Sequence, residues 1–191
     1  EISECLVGSE MCIRDSSYHD DNDNLVGYDV EVSRALAKEL GVKVKFVEVK
    51  WDSLIAGLDS DKYDLVTNQV AITAERKKKY DFSIPHTYSY PAIITKKDNT
   101  EITKMSDIKG RKFSQTGSSN FSKIVEKYKG EIVATNDWNE NVSLVEQGRV
   151  DGTVNDTLAY YDLVNKKPGT DLKIAAQGKE AVSYTHLTLP T

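Results

Sequence analysis

The chain has 191 residues, with 25 lysines and arginines against 30 aspartates and glutamates, so its formal net charge is −5. Such a weak charge gives no electrostatic reason to expect a nucleic-acid-binding protein, and no apolar run in the sequence is long enough to span a membrane. The hydrophobic fraction of 39% is ordinary for one globular domain or two small lobes.

Both ends of the chain are predicted to be non-native sequence. Residues 10–16, EMCIRDS, can be encoded by a DNA string whose reverse complement translates as VSYTHL, the sequence of residues 182–187. A reverse-complement relation between two ends is typical of one adaptor placed on both sides of a reading frame. We therefore assign residues 1–16 and 182–191 to translated sequencing adaptor and leave them out of the fold prediction.

The part predicted to be native, residues 17–181, keeps 24 basic and 26 acidic residues, a net charge of −2. Both cysteines, Cys5 and Cys12, lie in the adaptor segment, so neither a disulfide nor a zinc-thiolate site is expected. We expect this part to be a fragment that is truncated at both ends and has lost its signal peptide.

Helices and strands alternate through the first half of the chain. The acidic run at residues 19–24, HDDNDN, predicts a hairpin turn, because it has neither the glycine nor the final glutamate of a calcium-binding EF-hand loop. Apolar residues at helical spacing predict a helix over Tyr28–Leu40, whose inward face is Val32, Ala35, Leu36 and Leu40. The next predicted elements are a strand at 43–49, a helix at 53–58 capped by Asp52, a strand at 64–68 and a short helix at 74–79 capped by Thr73.

The second half repeats this alternation. After an extended segment at 91–97 and a turn that starts at Ser106, the predicted elements are a strand at 112–115, a helix at 119–129, a strand at 131–135, a helix at 139–147, a strand at 150–154 and a helix at 157–165. The pattern predicts an α/β fold in which each lobe is a mostly parallel sheet flanked by helices.

Polar residues follow the predicted strands at three places, where an open parallel sheet binds its ligands. Arg76 offers a planar guanidinium that can hold a carboxylate at two points, and Asp156 can hold an ammonium. An amino acid carries both of these charges on one carbon, so the pair predicts an amino-acid site. Further candidates are amides and hydroxyls, namely Asn68 and Gln69 after one strand and Ser118, Ser119 and Asn120 at a helix start.

Each candidate also has a purely structural interpretation. Arg76 taken alone is typical of a surface ion pair, and Asp156 taken alone is typical of a helix N-cap. Trp51, another ligand-binding candidate, and Trp138 both suit packing in a half-buried position. The lysines after Arg76 are typical of a solvated helix face.

Patterns typical of catalysis are absent from the sequence, which has no GxSxG, HExxH, GxxxxGK[ST] or GxGxxG. Outside the adaptor segments the histidines are His19 and His86, and neither has an evident acid or nucleophile partner in the sequence, which favours a surface or packing role. We predict no catalytic residue, no metal and no cofactor.

A family resemblance is carried by residues 27–85, from GYDVEVSRALAKELGVKVKF to TNQVAITAERKKKYDFSIP. It continues through MSDIKGRKFSQTGSSNF at 105–121 and GRVDGTVNDTLAYYDLV at 148–164. The chain resembles the extracytoplasmic solute-binding proteins of polar amino-acid ABC transporters, family 3, which have the two-lobed type II periplasmic-binding-protein fold.

The resemblance implies a first, incomplete lobe at residues 17–92, a hinge at 93–95 and a second lobe at 96–181, with a second hinge near 174–177. It also implies a monomer outside the cytoplasm, either in the periplasm or lipid-anchored on the outer face of the cell membrane. Its partners would be an amino acid and a membrane permease, which the ligand-closed form would dock on.

The resemblance further implies a role for each site residue. Arg76 would clamp the ligand carboxylate, helped by the backbone N–H of Ala71, and Asp156 would take the ammonium. The remaining residues would line the pocket or contact the carboxylate from the second lobe, and they are Asn68, Gln69, Ser119 and Asn120. The aromatic residue with which family members cover the ligand side chain would precede Ser17 and is expected to be missing.

The segments TNQVAIT, WDSLIAGL and GRVDGTVND are most similar to the cystine-binding subgroup, so L-cystine is the expected ligand. Glutamine, histidine or arginine are the alternatives. Two other functions on the same fold stay open, an enzyme similar to cyclohexadienyl dehydratase and the sensor domain of a receptor.

Overall fold

The computed structural model describes the backbone of residues 4–10 and 17–188, and the side chains of these residues except Glu10, Gln69 and residues 183–188. The chain divides into two compact units, of which the first comprises Glu1–Tyr88 and Ser183–Thr191 and the second Ser89–Val182. None of the described helices has the length and apolarity needed to cross a membrane.

The first part of the chain alternates strands with helices. Its elements are β1 (Glu4–Glu10), β2 (Tyr18–His19), β3 (Leu25–Val26), α1 (Tyr28–Leu40), β4 (Lys43–Val49), α2 (Trp51–Asp59), β5 (Leu65–Ala71), a 3-10 helix (Arg76–Lys78), β6 (Asp81–Phe82) and β7 (Thr87–Ser89).

The second part continues the alternation. Its elements are β8 (Pro91–Lys96), a 3-10 helix (Met105–Ile108), β9 (Lys112–Thr116), α3 (Asn120–Lys127), β10 (Glu131–Thr135), α4 (Trp138–Glu146), β11 (Gly152–Asp156), α5 (Thr157–Lys166), β12 (Leu172–Gln177) and β13 (Val182–Thr188).

The sheet of the first unit has the strand order β4-β1-β5-β13-β6, and β7 pairs with β13. β1 runs parallel to β4 and β5, whereas β13 runs antiparallel to β5 and β6. β1 and β13 lie within residues 1–16 and 182–191, which are predicted to be translated adaptor. That origin stays a prediction. As predicted, residues 19–24 form a hairpin turn, between β2 and β3.

The core of the first unit lies between this sheet and α2. It contains Leu54 and Leu58 of α2, Val66 and Val70 of β5, and Tyr63 and Tyr80. Tyr63 is buried among them, and its hydroxyl donates to the carbonyl oxygens of Ser53 and Leu54. The hydroxyl is therefore satisfied in the first turn of α2 while its ring fills the core.

The buried face of α1 differs from the predicted one, although the bounds of the helix agree. Ser33 is buried, and its hydroxyl oxygen lies 2.6 Å from the carbonyl oxygen of Asp29, to which it donates, and 2.8 Å from Thr67 Oγ1. The buried residues of α1 are Asp29, Val30, Ser33 and Ala37, so the residues predicted to face inward do not form this face, and Leu36 and Leu40 are 36% and 64% exposed. Apolar periodicity alone does not identify a buried face that mixes apolar with polar residues.

The sheet of the second unit has the order β10-β9-β11-β8-β12, in which β10, β9 and β11 are parallel and β8 runs antiparallel to both β11 and β12. Apolar clusters cover both faces. One contains Ile93, Phe113 and Val125, and the other contains Ile94 and Trp138. Trp138 is therefore a packing residue, as predicted.

The boundary between the units falls earlier than the predicted hinge. The chain enters the second unit at Ser89, whereas residues 93–95 lie in the middle of β8 and residues 174–177 lie in β12. Ile93 and Ile94 are fully buried and belong to the clusters on opposite faces of the sheet. Such alternation is the mark of a central strand, so this segment belongs to the body of the second unit.

Candidate functional site

Arg76 lies in a tighter turn than the sequence predicts. Thr73 Oγ1 accepts a hydrogen bond from the Arg76 N–H at 3.1 Å, so Thr73 does cap the turn. The predicted helix over residues 74–79 is instead a single 3-10 turn, in which the Lys78 N–H donates to the Glu75 carbonyl at 3.2 Å and the Lys79 N–H donates to the Arg76 carbonyl at 3.0 Å. This turn is not the start of an α-helix, and the guanidinium itself is the group suited to an anion.

The guanidinium of Arg76 is held at the carboxyl end of β5. Its Nη1 donates to the Ala71 carbonyl oxygen at 3.0 Å, and its Cζ lies 6.0 Å from the centroid of the Trp51 ring. The side chain is half-buried, and this burial lowers the pKa of Arg76. The negative charges of Glu75 and of ionised Tyr80 act in the opposite direction and raise it.

Among the residues that the structure describes, no carboxylate forms an ion pair with Arg76. The structural interpretation of Arg76 as a surface ion-pair residue therefore does not hold within this part of the chain. Burial in the absence of a counter-ion penalises the charge, and a bound anion would relieve that penalty.

Asn68 is a buried member of β5, which continues to Ala71 instead of ending at residue 68. Its Oδ1 accepts a hydrogen bond from Ser17 Oγ at 3.2 Å, and Ser17 Oγ accepts one from Ser9 Oγ at 2.9 Å. All three side chains are buried, and no pattern in the sequence joins Ser9 and Ser17 to Asn68. The side chain of Gln69 lies outside the described part of the structure.

In the second unit, α3 begins at Asn120, one residue after the predicted start, and Ser119 is its N-cap. Ser119 Oγ accepts from the Phe121 N–H at 3.2 Å, while its carbonyl oxygen accepts from Ser122 Oγ at 2.6 Å. Ser118 is exposed and Asn120 half-buried at this turn. The first turn of a helix presents N–H groups that have no partner within the helix, so this end of α3 suits a carboxylate.

Asp156 ends β11 and is the N-cap of α5. Its Oδ1 accepts from the Ala159 N–H at 2.8 Å and lies 3.4 Å from Ser89 Oγ. Asp156 is only 8% exposed, and Ser89 and Thr157 beside it are buried as well. The N-cap interpretation is thus correct, and it is compatible with a second role because a carboxylate has several acceptor sites. Ser89 was missed, since it lies 67 residues from Asp156 in the sequence.

Within each unit the parallel strands bring candidate residues to one edge. β9 and β11 pair in parallel, so Thr116, which precedes Ser118, and Asp156 end at the same edge of the second sheet. β4 and β5 both run parallel to β1, so Trp51 after β4 and Ala71 at the end of β5 lie at one edge of the first sheet. These edges are where open sheets bind ligands.

His19 has acidic partners that the sequence did not suggest. Its Nε2 lies 2.9 Å from Glu48 Oε2 and its Nδ1 lies 3.0 Å from Asp23 Oδ1. The hydrogen bonds to Glu48 and Asp23 raise the pKa of His19. His86 Nδ1 lies 2.9 Å from Thr87 Oγ1, and burial lowers the pKa of His86.

Comparison with known proteins identifies the family. The profile of the bacterial extracellular solute-binding proteins, family 3, matches residues 6–141. A probable amino-acid ABC transporter-binding protein of Haemophilus influenzae is 39% identical over 170 residues, which are 89% of this chain and 66% of that protein. The L-cystine-binding protein TcyA of Bacillus subtilis is 40% identical over 178 residues, 93% of this chain and 66% of that protein. The chain therefore spans just under two thirds of the length of these relatives.

A solved structure supports the same fold. An ancestral arginine-binding protein bound to arginine superimposes with a TM-score of 0.89 at 31% identity, and the match covers 98% of this chain and 84% of that one. Together with the arrangement of two α/β units, these matches confirm the type II periplasmic-binding-protein fold. The chain belongs to the bacterial extracellular solute-binding proteins, family 3.

Proposed function

We propose that this protein binds a polar amino acid outside the cytoplasm and delivers it to the permease of an ABC transporter. The observation that carries the proposal is the state of Arg76, a half-buried guanidinium that is fixed by the Ala71 carbonyl and lies over Trp51. Its positive charge has no carboxylate partner among the described residues, so a carboxylate of the ligand can supply one.

Asp156 supplies the opposite charge. It is buried, and its orientation is fixed by the Ala159 N–H. A buried carboxylate is stabilised by an ammonium group, as a buried guanidinium is by a carboxylate. We propose that the ligand places its α-carboxylate on Arg76 and its α-ammonium on Asp156. Ser118, Ser119 and Asn120 would complete the carboxylate contacts from the start of α3.

L-cystine is the proposed ligand. The relative TcyA is an L-cystine-binding protein and is 40% identical to this chain. Cystine has a second amino-acid end. The side-chain amides of Asn68 and Gln69 can donate hydrogen bonds to its carboxylate and accept hydrogen bonds from its ammonium. Arginine is the main alternative, because an ancestral protein that has the same fold and is 31% identical to this chain binds arginine. We also propose that the protein acts as a monomer that has no enzymatic role.

Isothermal titration of the purified protein tests this function. L-cystine, L-arginine, L-glutamine and L-histidine are compared with two analogues of cystine, namely 3,3′-dithiodipropionate without the amino groups and cystine dimethyl ester without free carboxylates. We expect one amino acid to bind at micromolar concentration or tighter, and its two truncated analogues to bind at least tenfold more weakly. Equal binding of an amino acid and both of its analogues, or no binding by a protein shown to be folded by circular dichroism, would contradict the proposal.

A further inference from the structure

Ser89 lies against the carboxylate that is proposed to hold the ligand's ammonium. We propose that Ser89 is a positioning residue for Asp156 and thereby sets the preference for ligands that carry an α-amino group. This inference rests on the proposed function. Ser89 is 2% exposed, and its hydroxyl oxygen lies 3.4 Å from Asp156 Oδ1 and 2.9 Å from Thr157 Oγ1.

The Ser89 hydroxyl has three contacts, which allow its proton to point at Asp156. The Leu158 N–H donates to Ser89 Oγ at 3.4 Å, so this bond uses the oxygen as an acceptor. A hydroxyl has one proton to donate. When Ser89 donates it to Asp156, Thr157 is the donor in the contact of 2.9 Å. The Thr157 hydroxyl and the Leu158 N–H thereby both direct the Ser89 proton at the carboxylate.

Asp156 is consequently held from two directions. From its own helix it accepts the Ala159 N–H at 2.8 Å, and from the segment that opens the second unit it accepts the Ser89 hydroxyl. This segment is itself fixed to the start of α5, because the Tyr90 carbonyl accepts from the Thr157 N–H at 2.9 Å. Each hydrogen bond to a carboxylate restricts its rotation, so the bond from Ser89 helps to fix the plane that Asp156 presents to an ammonium.

The same contacts connect Asp156 to the place where the chain enters the second unit. Ser89 is the first residue of that unit, and Asp156 is paired with Pro91 in the ladder of β11 and β8. The Pro91 carbonyl accepts from the Gly178 N–H at 2.7 Å, just after β12 ends. Ser89 therefore links Asp156 to the segment through which the chain enters the second unit.

The test compares Ser89→Ala with the unchanged protein by titration calorimetry, using L-cystine and 3,3′-dithiodipropionate, and NMR titration where binding is weak. If L-arginine is the better ligand, L-arginine and 5-guanidinopentanoate replace this pair. We expect Ser89→Ala to weaken binding of the amino acid about fivefold, the equivalent of one modest hydrogen bond, and to change binding of the analogue less than twofold. Ser89→Thr keeps the hydroxyl and is expected to restore most of the affinity.

Ser114→Ala is the matched control, because Ser114 is a fully buried serine of the same unit that donates to the Asn141 carbonyl at 3.1 Å. It is expected to change neither affinity more than twofold, and thermal unfolding of every variant shows how much stability each change costs. If Ser89→Thr does not fit its buried site, Ser89→Cys, which is closer to serine in volume, takes its place and is expected to recover part of the affinity.

Asp156→Asn separates the two possible failures. If Asp156→Asn leaves the amino-acid affinity unchanged, the proposed ammonium contact is wrong, and the positioning role falls with it. If Asp156→Asn weakens binding and Ser89→Ala does not, only the role of Ser89 is overturned. Equal losses for the amino acid and its des-amino analogue in Ser89→Ala would assign Ser89 a merely structural role and would also overturn the inference.

Discussion

Replacing Arg76 with alanine should abolish most of the affinity for an amino acid. Arg76 is fixed in place before the ligand arrives, because Nη1 is bonded to the Ala71 carbonyl at 3.0 Å and Cζ lies 6.0 Å from the Trp51 ring centroid. Little conformational entropy is therefore lost when the guanidinium binds a carboxylate.

The expected loss follows from the number of hydrogen bonds. A two-point contact supplies two charge-assisted hydrogen bonds, each of which contributes about 1.5–3 kcal/mol. Arg76 is half-buried, so we take the lower end for both. The total loss of binding free energy is about 3 kcal/mol, which corresponds to a dissociation constant roughly 100-fold higher. Arg76→Lys keeps the charge and loses the fork, and should cost roughly tenfold.

The assay is titration calorimetry with L-cystine and L-arginine at constant salt concentration. Lys78→Ala is the control, because Lys78 is an exposed cation in the same 3-10 turn and its loss changes the net charge equally. It should leave the affinity within twofold. If Arg76→Ala also stays within a few-fold while remaining folded, Arg76 does not clamp the ligand and the reasoning from its burial is refuted.

Two further predictions concern titration and packing. The pKa of His19 should lie above its ordinary value of 6.5 and should fall in Glu48→Gln, as measured by NMR. Because folding raises this pKa, the stability that the pair of His19 and Glu48 contributes is present below pH 6.5. It is lost as the pH rises through the raised pKa. Gly152→Ala should destabilise the protein by about 1–3 kcal/mol in denaturant unfolding, because the added Cβ would lie 2.9 Å from the Ile94 carbonyl oxygen. Gly169→Ala is its control, since a Cβ there meets no atom within 4 Å, and an equal effect of both changes would contradict the packing argument.

The strongly periodic elements could be predicted from the sequence. The bounds of α1, β4 and β10 agree with the prediction, because apolar periodicity, a glycine stop and β-branched runs are local signals. The face of α1 could not be predicted, since Ser33 packs through hydrogen bonds to Asp29 and Thr67. The start of α2 was also missed: Asp52 is its second residue and Lys50 occupies the cap position.

The candidate site divides in the same way. Asp156 is the N-cap that its place between a strand and a helix indicates, and Ser119 lies at the predicted start of α3, as its N-cap. Ser89 and Ser17 reach Asp156 and Asn68 only through the tertiary fold, across 67 and 51 residues of sequence. No local pattern marks such contacts, because hydroxyl groups are common in strands and turns.

The pairing of β8 with β12 brings the two ends of the second unit together. Ala92 and Gln177 are partners in this ladder, so the unit enters and leaves its own sheet on adjacent strands. It is also one uninterrupted stretch, Ser89–Val182, whereas the first unit is assembled from two separated stretches. Ends that lie side by side suit a segment to excision and transplantation. Residues 89–182 are therefore a natural cassette for domain-insertion engineering, with Asp156, Ser89 and Ser119 carried together on the transplanted piece.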